Sequence, residues 1–186
     1  REKISTEFYK MAVSSNTVSV YSNFIMNHPW AKEKEEAVGS RDSLAFFIAV
    51  TENRPTSYKL YAEKYPTSQF IHLANENYNN TLFDEVTEEM TLGSYLEFVS
   101  LYPANPRKQD AEAEIYRIVT NDNTEASFAA FIQAYPSSPY IDTAWIELYQ
   151  AYLTDYSIER IGFFLEAYAP KSFKEMVNLH LAAAKE

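Results

Sequence analysis

Three histidines, His28, His72 and His180, are the residues of this sequence most suited to metal binding or proton transfer. A protein zinc site needs three or four ligands that converge on the metal. None of these histidines has a second histidine four residues away, and the sequence contains no cysteine that could serve as a ligand or a thiol nucleophile. We therefore predict no metal site and no cofactor, and we interpret His28 as a packing residue.

Carboxylates and serines are the other side chains that could do chemistry. Paired carboxylates hydrolyse glycosidic bonds, so one alternative is a helical enzyme acting on glycans through a carboxylate such as Glu63 or Glu166. Neither Gly39-Ser40 nor Gly93-Ser94 belongs to a Gly-x-Ser-x-Gly nucleophile motif, and both pairs are interpreted as helix punctuation. The acidic clusters are Glu33/Glu35/Glu36, which alternates with lysines like a solvated helix face, and Asp84/Glu85/Glu88/Glu89.

The composition narrows the function classes further. With 16 basic and 26 acidic residues the net charge is −10, which argues against nucleic acid as a partner. Only 3 of the 186 residues are glycine, so glycine-rich phosphate loops are excluded almost by count. Hydrophobic residues make up 46% of the chain, which is ordinary for a globular protein. No catalytic constellation is visible, and we predict that the protein is not an enzyme.

The elements that position these residues form a repeat. A pattern of aromatic, aromatic, aliphatic and tyrosine residues recurs five times at positions i, i+3, i+4 and i+7, which is one face of an α-helix. Of these 20 positions 19 are hydrophobic, against 46% for the whole chain. Each copy therefore predicts an amphipathic helix, called helix A. The copies are Tyr21/Phe24/Ile25/His28, Tyr58/Tyr61/Ala62/Tyr65, Tyr95/Phe98/Val99/Tyr102, Phe128/Phe131/Ile132/Tyr135 and Ile161/Phe164/Leu165/Tyr168.

Each copy carries signals for the two ends of helix A. A hydroxyl residue before the first aromatic can accept hydrogen bonds from the free N–H groups of the first turn. The second copy instead has Arg54, with Thr56 as a substitute cap. Proline follows the last aromatic and disfavours helix in the residue before it. The predicted caps are Thr17, Thr91, Thr124 and Ser157, and the prolines are Pro29, Pro66, Pro103, Pro136 and, one residue late, Pro170.

A second helix, helix B, is predicted after each of these prolines. Its cap is expected two residues after the proline, which puts Pro106 and Pro139 at first helical positions. Ser172 and Glu175 would form a capping box. A small residue eight positions after the proline would let helix B approach helix A closely. The caps are Ser68, Asn105, Ser138 and Ser172, and the small residues are Ala37, Ala74, Ala111 and Ala144.

The ends and the spacing of the copies follow the same scheme. At the start of the chain we predict a helix B whose helix A is missing, with Ile4, Phe8 and Met11 on its inward face. At the end we predict a final helix B over residues 171–186. In that last helix Phe173, Val177 and Leu181 are expected to face inward. Repeats of 33 and 37 residues differ by about one helical turn, which would lengthen a helix without rotating its apolar face.

The spacing between the helix A face and the helix B alanine resembles tetratricopeptide repeats over nearly the whole chain. It departs from them at the middle of helix A, where a large aliphatic residue replaces the usual small one. The segment Phe131-Ile132-Gln133-Ala134-Tyr135-Pro136-Ser137-Ser138 looks like the divergent repeats of bacterial envelope lipoproteins involved in outer-membrane assembly. It also looks like the helical region that precedes Trp-Gly repeats in some Bacteroidetes proteins.

This resemblance implies an all-α superhelix of about five helix pairs over residues 1–186, with antiparallel helices A and B in each repeat. It implies a non-enzymatic protein-binding or scaffolding role; a purely structural spacer arm is the alternative. In such arrays helix A lines the concave side, so its outward residues are the candidates for binding a protein or peptide. These candidates are Met26, Lys59, Glu63, Leu96, Ser100, Gln133 and Glu166.

A further set of apolar residues lies off the core face of helix A in the third to fifth copies. We interpret them as contacts with neighbouring helices, because packing is the commoner cause of apolar stripes; a peptide groove is the alternative. The set comprises Leu101, Ala130, Ala134, Phe163 and Ala167.

The longest apolar run, Leu44–Val50, is far shorter than the roughly 20 residues that span a bilayer. The chain begins with Arg1, so we expect a fragment of a longer protein whose membrane tether would lie upstream. The resemblance implies a periplasmic or outer-membrane-associated protein, and a cytoplasmic one is the alternative.

Overall fold

The computed structural model describes residues 2–168 and 173–185. In these two stretches the backbone forms eleven α-helices and no β-strand, as the sequence predicts. The helices are α1 (Glu2–Ser15), α2 (Val18–Asn27), α3 (Lys34–Glu52), α4 (Pro55–Lys64), α5 (Ile71–Val86), α6 (Leu92–Leu101), α7 (Lys108–Val119), α8 (Glu125–Ala134), α9 (Ile141–Tyr152), α10 (Ile158–Tyr168) and α11 (Lys174–Ala183).

The chain divides into two compact units, Arg1–Glu85 and Val86–Glu186. In each unit helices that follow one another in sequence pack as pairs. Helix α2 packs on α3 in the first unit, and α6 on α7, α8 on α9 and α10 on α11 in the second. Helices α2, α4, α6, α8 and α10 are the predicted A helices, and α3, α5, α7, α9 and α11 are the predicted B helices.

Helices α2, α6, α8 and α10 begin after the predicted caps, and α2, α4, α6 and α8 end before the predicted prolines. The hydroxyl of Thr124 accepts a hydrogen bond from the backbone N–H of Ser127, and the Ser127 hydroxyl accepts one from the N–H of Thr124, which completes a capping box. Thr91 and Ser94 form the same box at α6, and the hydroxyls of Thr17 and Ser157 accept hydrogen bonds at α2 and α10.

The substitute cap predicted at Thr56 is wrong. Helix α4 begins at Pro55, so Thr56 already lies inside its first turn. Proline at the first helical position sacrifices no hydrogen bond and fixes a helical φ, which removes the need for a hydroxyl cap. The residue before it, Arg54, has extended backbone and makes no side-chain cap.

A residue in the left-handed backbone region precedes the cap of four A helices. Three of these residues are asparagine: Asn16, Asn53 and Asn123, with φ of 47°, 47° and 50°. The fourth, with φ of 50°, is Met90. Asparagine tolerates this conformation better than other residues with a side chain, so the recurring asparagine is a further repeat signal that the helix pattern alone does not show.

The B helices begin later than predicted. Ser68, Asn105 and Ser138 do accept a backbone N–H bond two residues on, but within a turn. Their carbonyls accept from the residue three positions on, and the α-helix starts only there. Pro106 and Pro139 therefore lie in the turn and not at first helical positions. The predicted Pro170 stop and the Ser172 capping box fall outside the described residues.

Helix B meets helix A through the predicted small residues. Ala37, Ala74, Ala111 and Ala144 are all fully buried. Helix α5 has 16 residues and α7 has 12, so the four extra residues of the longer repeat form one additional helical turn, as predicted. In the first copy α3 is a continuous helix, and its Arg41 pairs with Asp42 at 2.7 Å.

The described ends of the chain fit the scheme only in part. In α11, Val177 is fully buried and Phe173 nearly so, as predicted. In α1 the predicted inward face is wrong: Ile4, Phe8 and Met11 are exposed, and the buried residues are Ser5 and Ala12. The reason is that α1 packs on α2, which follows it, through the face that carries Ser5, Tyr9 and Ala12, rotated by about 100° from the predicted one.

Candidate binding groove

A groove in the second unit lies beside helix α6 and the end of helix α8. Its walls are Leu96 and Val99 of α6, Ile115 of α7, and the turn that follows α8. The cavity has a volume of about 350 Å³, at the lower end of the range for ligand pockets. Aliphatic side chains and the Tyr135-Pro136 turn make it apolar, and Glu112, Ser137 and Ser138 supply polar groups. We call this cavity the α6–α8 groove.

A second depression of about 580 Å³ shares Glu112 and Ser137 with the α6–α8 groove. It is lined by the turns before α7 and α9 and is more polar. There the Lys108 ammonium lies 2.6 Å from the Glu112 carboxylate, which is mostly buried. Together the two cavities provide an apolar pocket that continues into a polar channel, an arrangement suited to a peptide side chain and its flanking backbone.

The first unit has a cavity at the corresponding place one repeat earlier. Lys59, Ala62 and Tyr78, which lie 37 residues before Leu96, Val99 and Ile115, line a depression of about 370 Å³ together with Glu63. The same repeat positions therefore form a concavity in both units. The lining residues differ in chemistry, because Lys59 stands in place of Leu96 and Tyr78 in place of Ile115, and Glu63 adds a carboxylate.

The first unit also carries a broader apolar depression between α2, α3 and α4. Phe47, Ile48 and Leu60 line it and are 68%, 50% and 63% exposed. Lys64 lies at the junction of its two parts. The extra turn of α3 provides this surface, because Phe47 and Ile48 belong to the apolar run late in that helix.

The predicted binding residues are exposed or partly exposed, but the structure does not bring all of them into one cavity. Lys59 and Glu63 share the depression of the first unit, and Leu96 lines the α6–α8 groove. The remaining four lie on the exposed face of their A helices, outside the cavities described above: Met26, Ser100, Gln133 and Glu166. The turn residues of the groove, Tyr135 to Ser138, were not among the predicted binding residues, because their role depends on the next repeat folding back beside α6.

The interpretation of the off-core apolar residues as helix contacts is wrong. Leu101 and Phe163 are 58% and 59% exposed, and Ala130, Ala134 and Ala167 are also exposed. Helices pack through the opposite face, where the aromatic residues lie. We call these five residues the apolar stripe.

The side chains with catalytic potential have structural partners or lie on the surface. His28 stacks on Phe8 with ring centroids 5.0 Å apart, as expected of a packing residue. Nδ1 of His180 lies 3.2 Å from the Tyr149 hydroxyl. Glu33 is buried, contrary to the predicted solvated face, and accepts a hydrogen bond from Thr6. Gly39 lies inside α3, so its interpretation as helix punctuation is wrong. Across residues 2–168 and 173–185, no three His, Asp or Glu side chains converge on a metal-sized site.

The recurring tyrosine at the end of helix A packs against the preceding ring of the same helix. The ring centroids of Phe131 and Tyr135 are 5.2 Å apart, and the other copies are similar. In the last copy the Tyr168 hydroxyl also bonds the Glu125 carboxylate of α8. Burial and this carboxylate raise the pKa of Tyr168 to about 12. At physiological pH the phenol of Tyr168 is un-ionised, and its hydrogen bond to Glu125 links helices α10 and α8.

A second set of ring contacts joins consecutive repeats and went unrecognised in the sequence. The last residue before helix B packs on a ring of the preceding helix B: Phe70 on Phe46 at 5.0 Å and Tyr140 on Tyr116 at 5.2 Å. Phe173 meets Tyr149 in the same way at 5.6 Å. The sequence carries this signal as an aromatic residue four positions after the helix A proline in the second and fourth copies and three positions after it in the fifth.

No protein-family model and no curated protein matches this chain. Among its described residues no helix is long and apolar enough to cross a membrane. The groove and the repeat geometry therefore carry the functional argument.

Proposed function

We propose that the protein is a tetratricopeptide-like solenoid that binds a protein or peptide segment along its A helices and performs no chemistry of its own. The observation that carries the proposal is the α6–α8 groove, an apolar cavity lined by outward positions of helix A. A corresponding cavity occurs at the same repeat positions in the first unit.

The solenoid part of the proposal is supported by features that recur with the repeat. Asn16, Asn53 and Asn123 share one backbone conformation, and Tyr65, Tyr102 and Tyr135 end their helices with nearly identical φ and ψ. Ring contacts connect consecutive repeats within the first unit, Phe46 with Phe70, and within the second unit, Tyr116 with Tyr140 and Tyr149 with Phe173. A repeat unit that cannot bury its aromatic face alone gains a continuous core by this stacking.

The binding part is supported by the nature of the exposed surface. Soluble proteins seldom leave contiguous large apolar side chains uncovered without a use. In the second unit Leu101 and Phe163 lie exposed on A helices. Glu63 and Glu166, the carboxylates considered for glycan hydrolysis, are both exposed to water, Glu63 within the depression of the first unit, and water would compete with any acid catalysis.

We further propose that the protein acts in the bacterial cell envelope, in the periplasm or at the outer membrane. Support comes from the sequence resemblance to the repeats of envelope lipoproteins. Fractionation of the source cell, followed by the intact mass of the native protein, tests this location. Recovery of the native protein in the cytosolic fraction would contradict it.

Site-specific photo-crosslinking in the source cell tests the binding role. Benzoylphenylalanine replaces Ser137 at the groove, and in the control it replaces Gln150, an exposed residue of α9. We expect a discrete crosslinked product from position 137 and none from position 150. A second variant lacks residues 95–127, one whole repeat, and joins Ser94 to Phe128 so that the capping box is preserved.

We expect the deletion to abolish the crosslinked product while the helical signal per residue in circular dichroism stays unchanged. Loss of the product is expected because the wall formed by α6 and α7 is removed. A folded deletion variant that still yields the same product would show that capture does not depend on the groove. A spacer arm would give no position-specific product in either protein.

A further inference from the structure

We propose that helices α6, α8 and α10 bind a cationic amphipathic peptide segment across the apolar stripe. This rests on the proposed function, because it names the class of partner for the same helices. The partner would place its apolar side chains on the stripe and its lysine or arginine side chains against glutamates of the A helices.

The repeat spacing places the residues of the apolar stripe at equivalent positions of successive A helices. Leu101, Ala134 and Ala167 are 33 residues apart and occupy the same place on three successive A helices. Helices α8 and α10 share one hydrophobic core and are tied by the hydrogen bond from Tyr168 to Glu125. Helix α6 and the end of α8 meet at the α6–α8 groove, which Ala134 also lines.

The stripe is uncovered and offers two large anchor points. Leu101 and Phe163 expose 58% and 59% of their surface, whereas Phe98 and Phe164 of the same helices are fully buried. The small alanines between them leave room for the side chains of a partner helix. Anchors of this kind, with small residues between them, suit an amphipathic helix that lays its apolar face into a groove.

Apart from Arg160, every charged side chain of helices α6, α8 and α10 is a glutamate. Helices α6 and α8 contain no lysine or arginine, and α10 contains only Arg160. The Arg160 guanidinium is already engaged, because Nη2 donates to the Tyr152 carbonyl at 2.8 Å and the group lies 4.5 Å from the Tyr152 ring centre. Glu97 and Glu166 remain exposed on α6 and α10.

The surrounding unit reinforces this polarity. Residues 86–186 contain 15 acidic and 7 basic residues, against 11 acidic and 9 basic in residues 1–85. Such a field attracts cations and repels nucleic acid or an anionic membrane surface.

Fluorescence anisotropy of labelled synthetic helices against the full 186-residue chain tests the proposal. The probe is an amphipathic leucine/lysine helix. Two comparison helices replace either all lysines by glutamate or all leucines by serine. We expect the leucine/lysine helix to bind at about 0.15 M ionic strength. The leucine/glutamate helix should show no binding. The serine/lysine helix should bind at least about tenfold more weakly than the leucine/lysine helix.

Two matched pairs of variants locate the site. Phe163→Ala should weaken binding of the leucine/lysine helix about tenfold, as expected for a central apolar anchor, whereas Leu179→Ala, at an exposed leucine of α11 outside the A helices, should leave it unchanged. Glu97→Gln with Glu166→Gln should weaken binding and reduce its salt dependence. The control variant, Glu88→Gln with Glu89→Gln, removes the same number of charges at residues outside the A helices. It should change neither the affinity for the leucine/lysine helix nor its salt dependence. All these side chains are exposed, so circular dichroism should show unchanged folding.

Equal binding of the serine/lysine helix, or equal effects within either variant pair, would overturn the proposal and indicate unspecific attraction to an acidic chain. Binding of the leucine/glutamate helix in place of the leucine/lysine helix would also overturn it. If none of the helices binds while residues 95–127 are still required for the crosslink at position 137, the cationic partner is wrong and the proposed function stands.

Discussion

Met90 occupies the left-handed backbone position before a helix A cap, where the other residues with this conformation are asparagines. Asn16, Asn53 and Asn123 adopt the left-handed conformation before a helix cap, and Met90 adopts it with φ of 50°. This region costs most residues about 1–2 kcal/mol, while asparagine can offset the cost by local hydrogen bonds. The Met90 side chain is 73% exposed and offers little packing in return.

Met90→Asn should therefore raise the free energy of unfolding by about 1 kcal/mol. Asn123→Met, the reverse exchange at the equivalent position, should lower it by a similar amount. Urea unfolding followed by circular dichroism measures both. An unchanged midpoint for Met90→Asn would mean that the methionine side chain contributes stabilisation that its exposure does not show.

At the scale of the helix, the small residue of helix B sets how closely each pair packs. Ala144 is fully buried and belongs to α9, the helix that packs on α8. Ala144→Leu should lower the free energy of unfolding by about 1–3 kcal/mol through overpacking. Ala151→Leu, on the exposed face of the same helix, should change it by less than about 0.5 kcal/mol.

Denaturant unfolding of the two leucine variants gives these values. If Ala144→Leu were as mild as Ala151→Leu, α9 would have to be able to shift away from α8. The predicted close approach of the two helices would then not be a requirement of the fold.

The sequence allowed the helices and their pairing to be predicted because each depends on local chemistry. Three signals act within one or two turns of chain. They are the i, i+3, i+4, i+7 aromatic spacing, the caps Thr91 and Thr124, and the tyrosines that end α6 and α8 before a proline. The start of helix B was displaced because the Ser68 carbonyl first closes a three-residue turn. A cap residue alone does not distinguish that turn from a helix.

The groove could not be predicted in the same way, because it depends on how one repeat lies beside the next. Tyr135 and Pro136 read as a helix end in sequence, and only their position beside Leu96 makes them a wall of the cavity. The apolar stripe shows the same limit: the spacing of Leu101, Ala134 and Ala167 revealed an apolar face. It did not reveal that no described helix covers that face.

At the scale of the whole chain, charge is distributed unevenly between the two units. Residues 86–186 have an excess of eight acidic residues and residues 1–85 an excess of two. Self-repulsion of like charges opposes the compact state. Salt shortens the range of that repulsion, from about 30 Å at 0.01 M to about 8 Å at 0.15 M. Added salt should therefore stabilise the second unit more than the first.

The two tryptophans allow this to be measured unit by unit. Trp30 belongs to the first unit, and Trp145 packs against the core of the second. In Trp30→Phe, urea unfolding followed by fluorescence reports on the second unit; Trp145→Phe reports on the first. Raising NaCl from 0.01 to 0.15 M should increase the midpoint reported by Trp145 more than that reported by Trp30. Equal shifts of the two midpoints would indicate that the whole chain unfolds in one cooperative transition, so that the charge of each unit affects the stability of both.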